Sequence, residues 1–528
     1  MHSQSDSHTS TATRFRFTLA LLACATAWCG SARAAPMACA ELEQLKLPQT
    51  TVQSALEVPA GPLPSGTPVP TFPPNTPATR LPAFCKVKAV VAPSIGFELW
   101  MPFTGWNGRF EGVGNHGFAG TLDYGDMAWQ LARGYAVAST DTGHAGNDPL
   151  PWMQNPQQLA DYGYRAVHEM TVNAKTLVNA FYDRAAHHAY WNGCSTGGKQ
   201  ALTEAQRYPA DYDGISVGDA NFDQIGNRAQ YVWNGQATFA NPATRLSSAQ
   251  LSLVNKAVLK ACDALDGVTD NSIEDPRRCG FDPAVLQCQS GQDAAACLSG
   301  EQVGALKKLY AGPRNPRTGE EIYPGLTPGS ELGWGGVVNG PNIYATADQF
   351  FKYMVFKRPD WDWRSYDFDA DWVTSRTGFD RILNATDPDL RAFAQRGGKL
   401  FQYHGWKDTV HPAMRSVGYY ESVLSALDAR GDREQAIART QKFYRLFMVP
   451  GSNGCASTGD LPDVFDPMDT LTRWVEKGTA PERVLVTHKT RGAVDRTRPL
   501  CAYPKVAVYD GSGSSDEAKN FRCQAPVS

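Results

Sequence analysis

The run Gly193-Cys194-Ser195-Thr196-Gly197-Gly198 stands between a strand-like stretch, residues 188–192, and a helix-like one, residues 199–208, closed by Pro209. A G-x-S-x-G turn at a strand-to-helix junction forces its serine into a sharp elbow, with the hydroxyl exposed above a sheet. Glycines are needed there because side chains would collide with neighbouring backbone. The helix that follows aims its N-terminal amides and dipole at an anion formed on attack. The pattern predicts an α/β fold with Ser195 as nucleophile. The competing reading is a tight structural turn carrying a surface serine.

The flanking sequence fits that fold class. Residues 96–102 and 109–112 read as strands joined by the turn Gly105-Trp106-Asn107-Gly108. Residues 135–140 form a short apolar run ending in a glycine-containing loop, as a buried parallel strand does. A long helix is predicted over residues 162–182, and later strands over 400–403 and 446–449. Alternating strands and helices imply a mostly parallel sheet covered on both faces. At 528 residues the chain is too long for one ordinary core. Residues 221–379, rich in Asn, Asp, Gly, Pro and Trp, break the rhythm after Ile215-Ser216-Val217 and read as an inserted lid domain. That leaves residues 35–220 and 380–528 for the catalytic domain.

Arg14 and Arg16, the apolar run 17–28 and the small-x-small site Ala32-Arg33-Ala34 read as a signal peptide over residues 1–34, which makes the mature protein secreted or periplasmic. No later stretch reaches the roughly 18 apolar residues that a membrane span needs. A formal net charge of -3 gives no electrostatic reason to expect nucleic acid or an anionic membrane as partner. A small, weakly polar ligand fits better; oligomeric state is not readable. Residues 61–79 are Pro/Thr-rich and read as an extended lead-in. Twelve cysteines are present, and all but Cys24 and Cys29 lie beyond the leader: Cys39, Cys85, Cys194, Cys262, Cys279, Cys288, Cys297, Cys455, Cys501 and Cys523. An even count in an exported chain argues for disulfides, and no CxxC pair suggests zinc or redox work.

In this fold one oxyanion donor is the amide after the nucleophile, here Thr196, and the second comes from an earlier glycine-rich loop. Gly112-Val113-Gly114-Asn115-His116-Gly117 follows a strand and is the natural candidate, with Gly114 or Asn115 as donor; a plain β-turn is the alternative. An acid should follow on a loop after a later strand. Asp408 meets that description, against the bland reading of an exposed loop aspartate.

Together these residues resemble the tannase and feruloyl esterase family from about Cys39 to Cys523. Its landmarks stand here as Trp106-Asn107-Gly108-Arg109-Phe110, Ser139-Thr140-Asp141-Thr142-Gly143-His144, the Ser195 elbow, His404-Gly405-Trp406-Lys407-Asp408, Val449-Pro450-Gly451 and Thr497-Arg498-Pro499-Leu500-Cys501-Ala502-Tyr503-Pro504. The family cleaves carboxylic esters, often of aromatic acids such as ferulate or gallate, and includes mono(2-hydroxyethyl) terephthalate hydrolase. The resemblance implies an α/β-hydrolase fold with a large lid that supplies most substrate contacts, and a Ser-Asp-His triad. It also implies a disulfide from the cysteine before the nucleophile to the cysteine after the catalytic histidine, here Cys194 and Cys455.

One departure follows. The residue before Cys455 is Gly454 where the resemblance implies histidine. Without a general base a serine hydroxyl is a weak nucleophile near neutral pH. His116, where the family usually has glycine, and His411, three residues after Asp408, are candidate substitute bases. Each competes with the reading of a hydrogen-bonded structural histidine. His144 and His404 read as structural, and His168, His187, His188 and His488 as remote. Two functions stand: an esterase acting on aromatic acid esters, or a degenerate, weakly active or inactive member that binds aromatic esters or acids.

Cys262-Asp263-Ala264-Leu265-Asp266-Gly267-Val268-Thr269-Asp270-Asn271-Ser272 sets three carboxylates around a glycine turn, the hard oxygen donors that Ca²⁺ requires. A solvated acidic loop is the alternative. The resemblance implies a structural calcium held by Asp263, Asp266 and Asp270 with the carbonyls of Val268 and Ser272. It further implies the pairs Cys39–Cys85, Cys262–Cys279, Cys288–Cys297 and Cys501–Cys523. The lid rings Trp334, Phe350, Phe351, Tyr353, Phe356, Trp361, Trp363 and Trp372 suit an aromatic ester or simply a lid core.

Overall fold

Apolar runs with no polar face are what the centre of an α/β sheet demands, and Ala136–Thr140 and Gly214–Gly218 are buried at every position. The computed structural model describes residues 36–62, 80–146, 152–293, 295–338, 340, 342–428, 431–455 and 461–525. The signal peptide reading and residues 63–79 of the Pro/Thr segment lie outside the described residues. Nine strands form the central sheet: β1 (Thr50–Val58), β2 (Phe84–Val91), β3 (Ile95–Pro102), β4 (Arg109–Val113), β5 (Ala136–Thr140), β6 (His188–Cys194), β7 (Gly214–Gly218), β8 (Lys399–Gly405) and β9 (Tyr444–Val449). Their spatial order is β1-β2-β3-β5-β4-β6-β7-β8-β9.

From β5 to β9 all neighbours are parallel, whereas β1, β2 and β3 pair antiparallel and β3 joins β5 antiparallel. The sheet is mostly parallel as expected, with an antiparallel edge. The cause is local: only Ala92-Pro93-Ser94 separates β2 from β3, too short for the crossover that a parallel pair needs. In β1 and β2, Val52, Ala55, Val87, Ala89 and Val91 turn inward while Lys88 and Glu57 face solvent. This is the alternation of a half-covered antiparallel sheet.

Three helices matter for the site: α1 (Tyr124–Ala132), α2 (Ala166–Tyr182), which continues a π turn over Asp161–Arg165, and α3 (Thr196–Arg207). Between β7 and β8 the chain leaves the sheet and builds α4 (Gln224–Thr238), α5 (Ser248–Cys262), α6 (Gly300–Ala311) and short turns, without a named strand among the described residues. Two apolar clusters hold this insertion. One gathers Ile225, Val232, Phe350, Phe351, Trp361 and Trp363; another gathers Leu251, Val254, Leu306, Leu309 and Trp334. The sheet core ends at Phe222 and resumes at Ala385, where the Ala385 amide donates to the Phe222 carbonyl at 2.8 Å. Leu383 packs in the first of these clusters, which also takes in Phe118, Trp152 and Tyr162 from outside the insertion.

Beyond β8 come α7 (Met414–Leu427) and α8 (Pro467–Lys477), then two hairpins, β10 (Arg483–Thr490) with β11 (Ala493–Cys501) and β12 (Val506–Tyr509) with β13 (Phe521–Gln524). Five disulfides join Cys39–Cys85, Cys194–Cys455, Cys262–Cys279, Cys288–Cys297 and Cys501–Cys523, the pairs that the resemblance implies. Among the described residues no helix is long and apolar enough to cross a membrane.

Candidate active site

β6 delivers Ser195 to the top of the sheet in a backbone conformation that L residues rarely adopt, φ 57° and ψ -118°. Such strain persists only where surroundings over-determine it. Here the Ser195 amide donates to the Gly218 carbonyl at 3.0 Å, and its carbonyl accepts from Lys199 at 3.1 Å and Asn221 at 3.0 Å. The glycine-rich loop after β4 presses directly on the elbow. A Cβ at Gly114 would lie 2.5 Å from the Gly197 Cα. The Gly197 amide donates to the Asn115 carbonyl, and the Thr196 hydroxyl to the Gly117 carbonyl, each at 2.7 Å.

Thr196 opens α3, so its amide has no intrahelical acceptor and can face an oxyanion. The expectation for Gly114 needs correction. Its amide donates to the Asn192 carbonyl at 2.9 Å, extending the β4–β6 ladder by one residue, and the Asn115 amide donates to Gln200 Oε1 at 3.1 Å. Both amides are thus engaged within the protein in this arrangement.

Asp408 follows β8 and is buried. Its Oδ1 accepts the amides of Val410 at 2.8 Å and His411 at 2.9 Å. Its Oδ2 is sealed from solvent and receives no hydrogen bond among the described residues. Two imidazoles face it, His411 through Nδ1 at 3.4 Å and His404 through Nε2 at 3.5 Å. Both ring nitrogens of His404 are engaged, Nδ1 with Ser416 Oγ and Nε2 with the His411 carbonyl, at 2.7 Å each. His411 has no such commitment at Nε2 among the described residues. Burial works against the Asp408 charge, but His411 and His404 outweigh it and hold the carboxyl below the usual range.

The sequence did not single out Asp219. It caps β7 with φ 35°, is fully buried, and accepts the Gly405 amide at 2.7 Å. Burial pushes its carboxyl up to about 6, and the Asp408 charge adds to the effect. Of the two neighbouring buried acids, Asp408 is the more readily ionised. The signal that could have found Asp219 is its place directly after a buried strand beside the elbow.

Cys194 and Cys455 are bonded with Cα atoms 5.8 Å apart, so Gly454 directly precedes the cysteine tied to the residue before Ser195. A Cβ at Gly454 would stand 3.8 Å from both Cγ and Oδ2 of Asp408. Position 454 thus faces the Asp408 carboxylate as a whole, with Oδ1 at 3.9 Å. Replacing both cysteines by serine is expected to cost about 2–5 kcal/mol of stability, and urea unfolding of the variant measures it. An unchanged midpoint would show that this tether constrains nothing.

His116 sits in the glycine-rich loop after β4, half exposed, with Nε2 3.4 Å from Asp123 Oδ2, the N-cap carboxylate of α1. His144 is buried, engages the Phe118 carbonyl at 2.8 Å and stacks on Trp152 at 4.2 Å, a structural role. From the lid, Tyr231 Oη and Asn227 Nδ2 each reach the Val410 carbonyl at 2.7 Å, and Tyr231 stacks on the half-exposed Tyr344 at 5.0 Å. These lid residues roof the acid loop. Trp334, Phe350, Phe351, Trp361 and Trp363 are buried lid core instead, with Tyr353, Phe356 and Trp372 at its margin.

The acidic loop folds around Gly267 at φ 94°. Asp263 accepts the amides of Asp270 and Asn271, Asp266 that of Val268, and Asp270 that of Ser272, while Asp270 Oδ2 meets Arg498. Burial pushes Asp266 up to about 6, and the charge of Asp263 contributes. The donor set is made only of oxygen, the kind a hard divalent cation requires, but the three carboxylates are not gathered within 4.8 Å of one another among the described residues, and Arg498 pairs with Asp270 in this arrangement.

The sequence model of the family described as tannase and feruloyl esterase matches residues 78–524. An uncharacterized esterase of Xanthomonas campestris pv. campestris is 39% identical, with 93% of this chain and 91% of the relative covered. Feruloyl esterase B of Aspergillus niger is 30% identical over 81% of this chain and 83% of its own. Among solved structures, feruloyl esterase B from Aspergillus oryzae superposes with a TM-score of 0.83 at 29% identity, covering 91% of this chain and 98% of that one. Tannin acyl hydrolase from Aspergillus niger shares the fold with a TM-score of 0.74 at 21% identity, covering 90% and 92%.

Proposed function

Because the chain belongs to the tannase and feruloyl esterase family, we propose that it is an exported carboxylic ester hydrolase for esters of aromatic acids, with Ser195 as nucleophile and His411 as base in place of the histidine that position 454 lacks. The observation that carries the reading is the pairing of His411 Nδ1 with Asp408 Oδ2 at 3.4 Å. In a Ser-His-Asp triad the carboxylate faces Nδ1, which leaves Nε2 as the proton acceptor. The His411–Asp408 pair has that polarity. Its separation exceeds an aligned hydrogen bond, as catalytic pairs often do before substrate closes the site. His116 is paired with the cap of α1 rather than with this acid, which favours His411.

In this reading Ser195 Oγ attacks the ester carbonyl carbon and its proton passes to His411 Nε2. The Thr196 amide holds the oxyanion. Collapse breaks the bond to the alcohol oxygen, which leaves with the proton from His411. Water then adds to the acyl-serine, again giving its proton to His411, and the acid departs as Ser195 recovers that proton. The names of the Aspergillus relatives support feruloyl esters as substrates, and Tyr231 and Tyr344 offer rings above the acid loop. A degenerate binding protein is the second reading, and Gly454 supports it. Hydrolysis of methyl ferulate and p-nitrophenyl acetate by the chain, by Ser195→Ala and by Gly454→His separates the two. Turnover that survives Ser195→Ala would sink the esterase mechanism.

Calcium belongs to the same proposal, held by Asp263, Asp266 and Asp270 with the Val268 and Ser272 carbonyls. Bound there it supplies charge neutralisation that cross-links the loop between Cys262 and Cys279. A chelator is expected to lower the thermal midpoint, since an ion at a hundredfold excess over its Kd stabilises by about 2.7 kcal/mol. Asp266→Asn should lose most of that calcium dependence; an unaltered response would remove this loop as the site.

A further inference from the structure

Where α2 packs against α3, His168, Glu204 and Asp211 bring one donor atom each to within 4.8 Å of one another. Glu204 is 0% exposed, and neither of its carboxylate oxygens receives a hydrogen bond among the described residues. An unpaired buried carboxylate costs several kcal/mol, so something must relieve it. The nearby ammonium groups do not bond it: Lys175 donates to the Asp211 carbonyl and Lys199 to the Gly163 carbonyl. Burial and the Asp211 charge push the Glu204 carboxyl well above its ordinary range.

The imidazole is already fixed in place. His168 Nδ1 lies 2.6 Å from Asp211 Oδ2, and its ring stacks on Tyr208 at 4.0 Å and 8°. Its side chain is 32% exposed, which opens the cluster to solvent on one side only. A shared proton between Glu204 and Asp211 would relieve the two acids but makes no use of the oriented imidazole.

We propose that His168, Glu204 and Asp211 form a binding site for a divalent cation of the zinc class, separate from both the esterase site and the calcium loop. One imidazole with two carboxylates suits zinc, with water from the open side as fourth ligand, whereas calcium wants six to eight oxygens. The site ties α2 to the helix that starts at Ser195, so the ion would brace the nucleophile's support rather than touch substrate.

The test uses the tag-free full chain, freed of transition metals, kept in calcium and titrated with zinc chloride. Bound zinc per chain after desalting and the thermal midpoint are read together. One zinc per chain and a raised midpoint are expected. Glu204→Gln keeps the shape while removing the charge, and should weaken binding about 100-fold or more. His168→Ala, at a half-exposed position that tolerates truncation, should do the same if Glu204→Gln fails to fold. A His187→Ala, His188→Ala double variant should bind as the parent does. Failure to retain zinc, or wild-type binding by His168→Ala or Glu204→Gln, overturns the site in favour of the shared proton or of adventitious binding at other imidazoles.

Discussion

Replacing Ser195 by alanine is expected to lower kcat for methyl ferulate by about 10⁴-fold or more with KM little changed. In the proposed mechanism the hydroxyl oxygen is the atom that forms the acyl bond. His411→Ala should follow it down by about 10²–10⁴-fold, the usual worth of a positioned general base. Asp408→Asn should lose a comparable factor, since an amide can hold the wrong tautomer of His411. His116→Ala is expected to stay within about twofold, because its carboxylate partner is the cap of α1 and not the buried acid. The pattern is diagnostic. A fall for Ser195 and His116 with His411 unaffected would move the base to the oxyanion loop, and steady-state kinetics on purified variants decide it.

Much of the sheet was legible because its centre is built from apolar runs, and β5, β7 and β8 stand where such runs end in glycine or aspartate loops. The edge was not. β1 reads Thr-Thr-Val-Gln-Ser-Ala-Leu-Glu-Val, whose half-polar alternation carries little signal without its partner β2. The C-terminal hairpins were hidden likewise, since Ala493–Cys501 is exposed over its first three residues. At the site, local motifs singled out Ser195 and Asp408 as candidates, but hydrogen-bond direction was invisible. Gly114 lost its donor role to one extra rung of a ladder, which no spacing rule foretells. Asp219 and Tyr231 matter through contacts with residues about 180 positions away in the chain, and such contacts exist only once the lid and β8 come together.

Gly454→His is expected to raise kcat by about 10–100-fold, the gain from replacing a misaligned base by an aligned one. A side chain built there starts 3.8 Å from Asp408 Oδ2, and the Cys194–Cys455 bond holds it beside the elbow. The gain has an opposing cost. Gly454 sits at φ 138°, a conformation that L residues resist by about 1–3 kcal/mol, so the thermal midpoint should fall even as the rate rises. The double variant Gly454→His, His411→Ala then measures how the two imidazoles divide one carboxylate. If the new histidine takes over, His411→Ala should cost less than about threefold in that background, against 10²–10⁴-fold alone, a coupling expected of residues sharing one partner. If His411→Ala is equally damaging in both backgrounds, His411 serves substrate binding or structure and not proton transfer. A parent chain without turnover that gains it only with Gly454→His would give the fold to a binding role, with Asp408 Oδ2 kept in place for a base this sequence no longer carries.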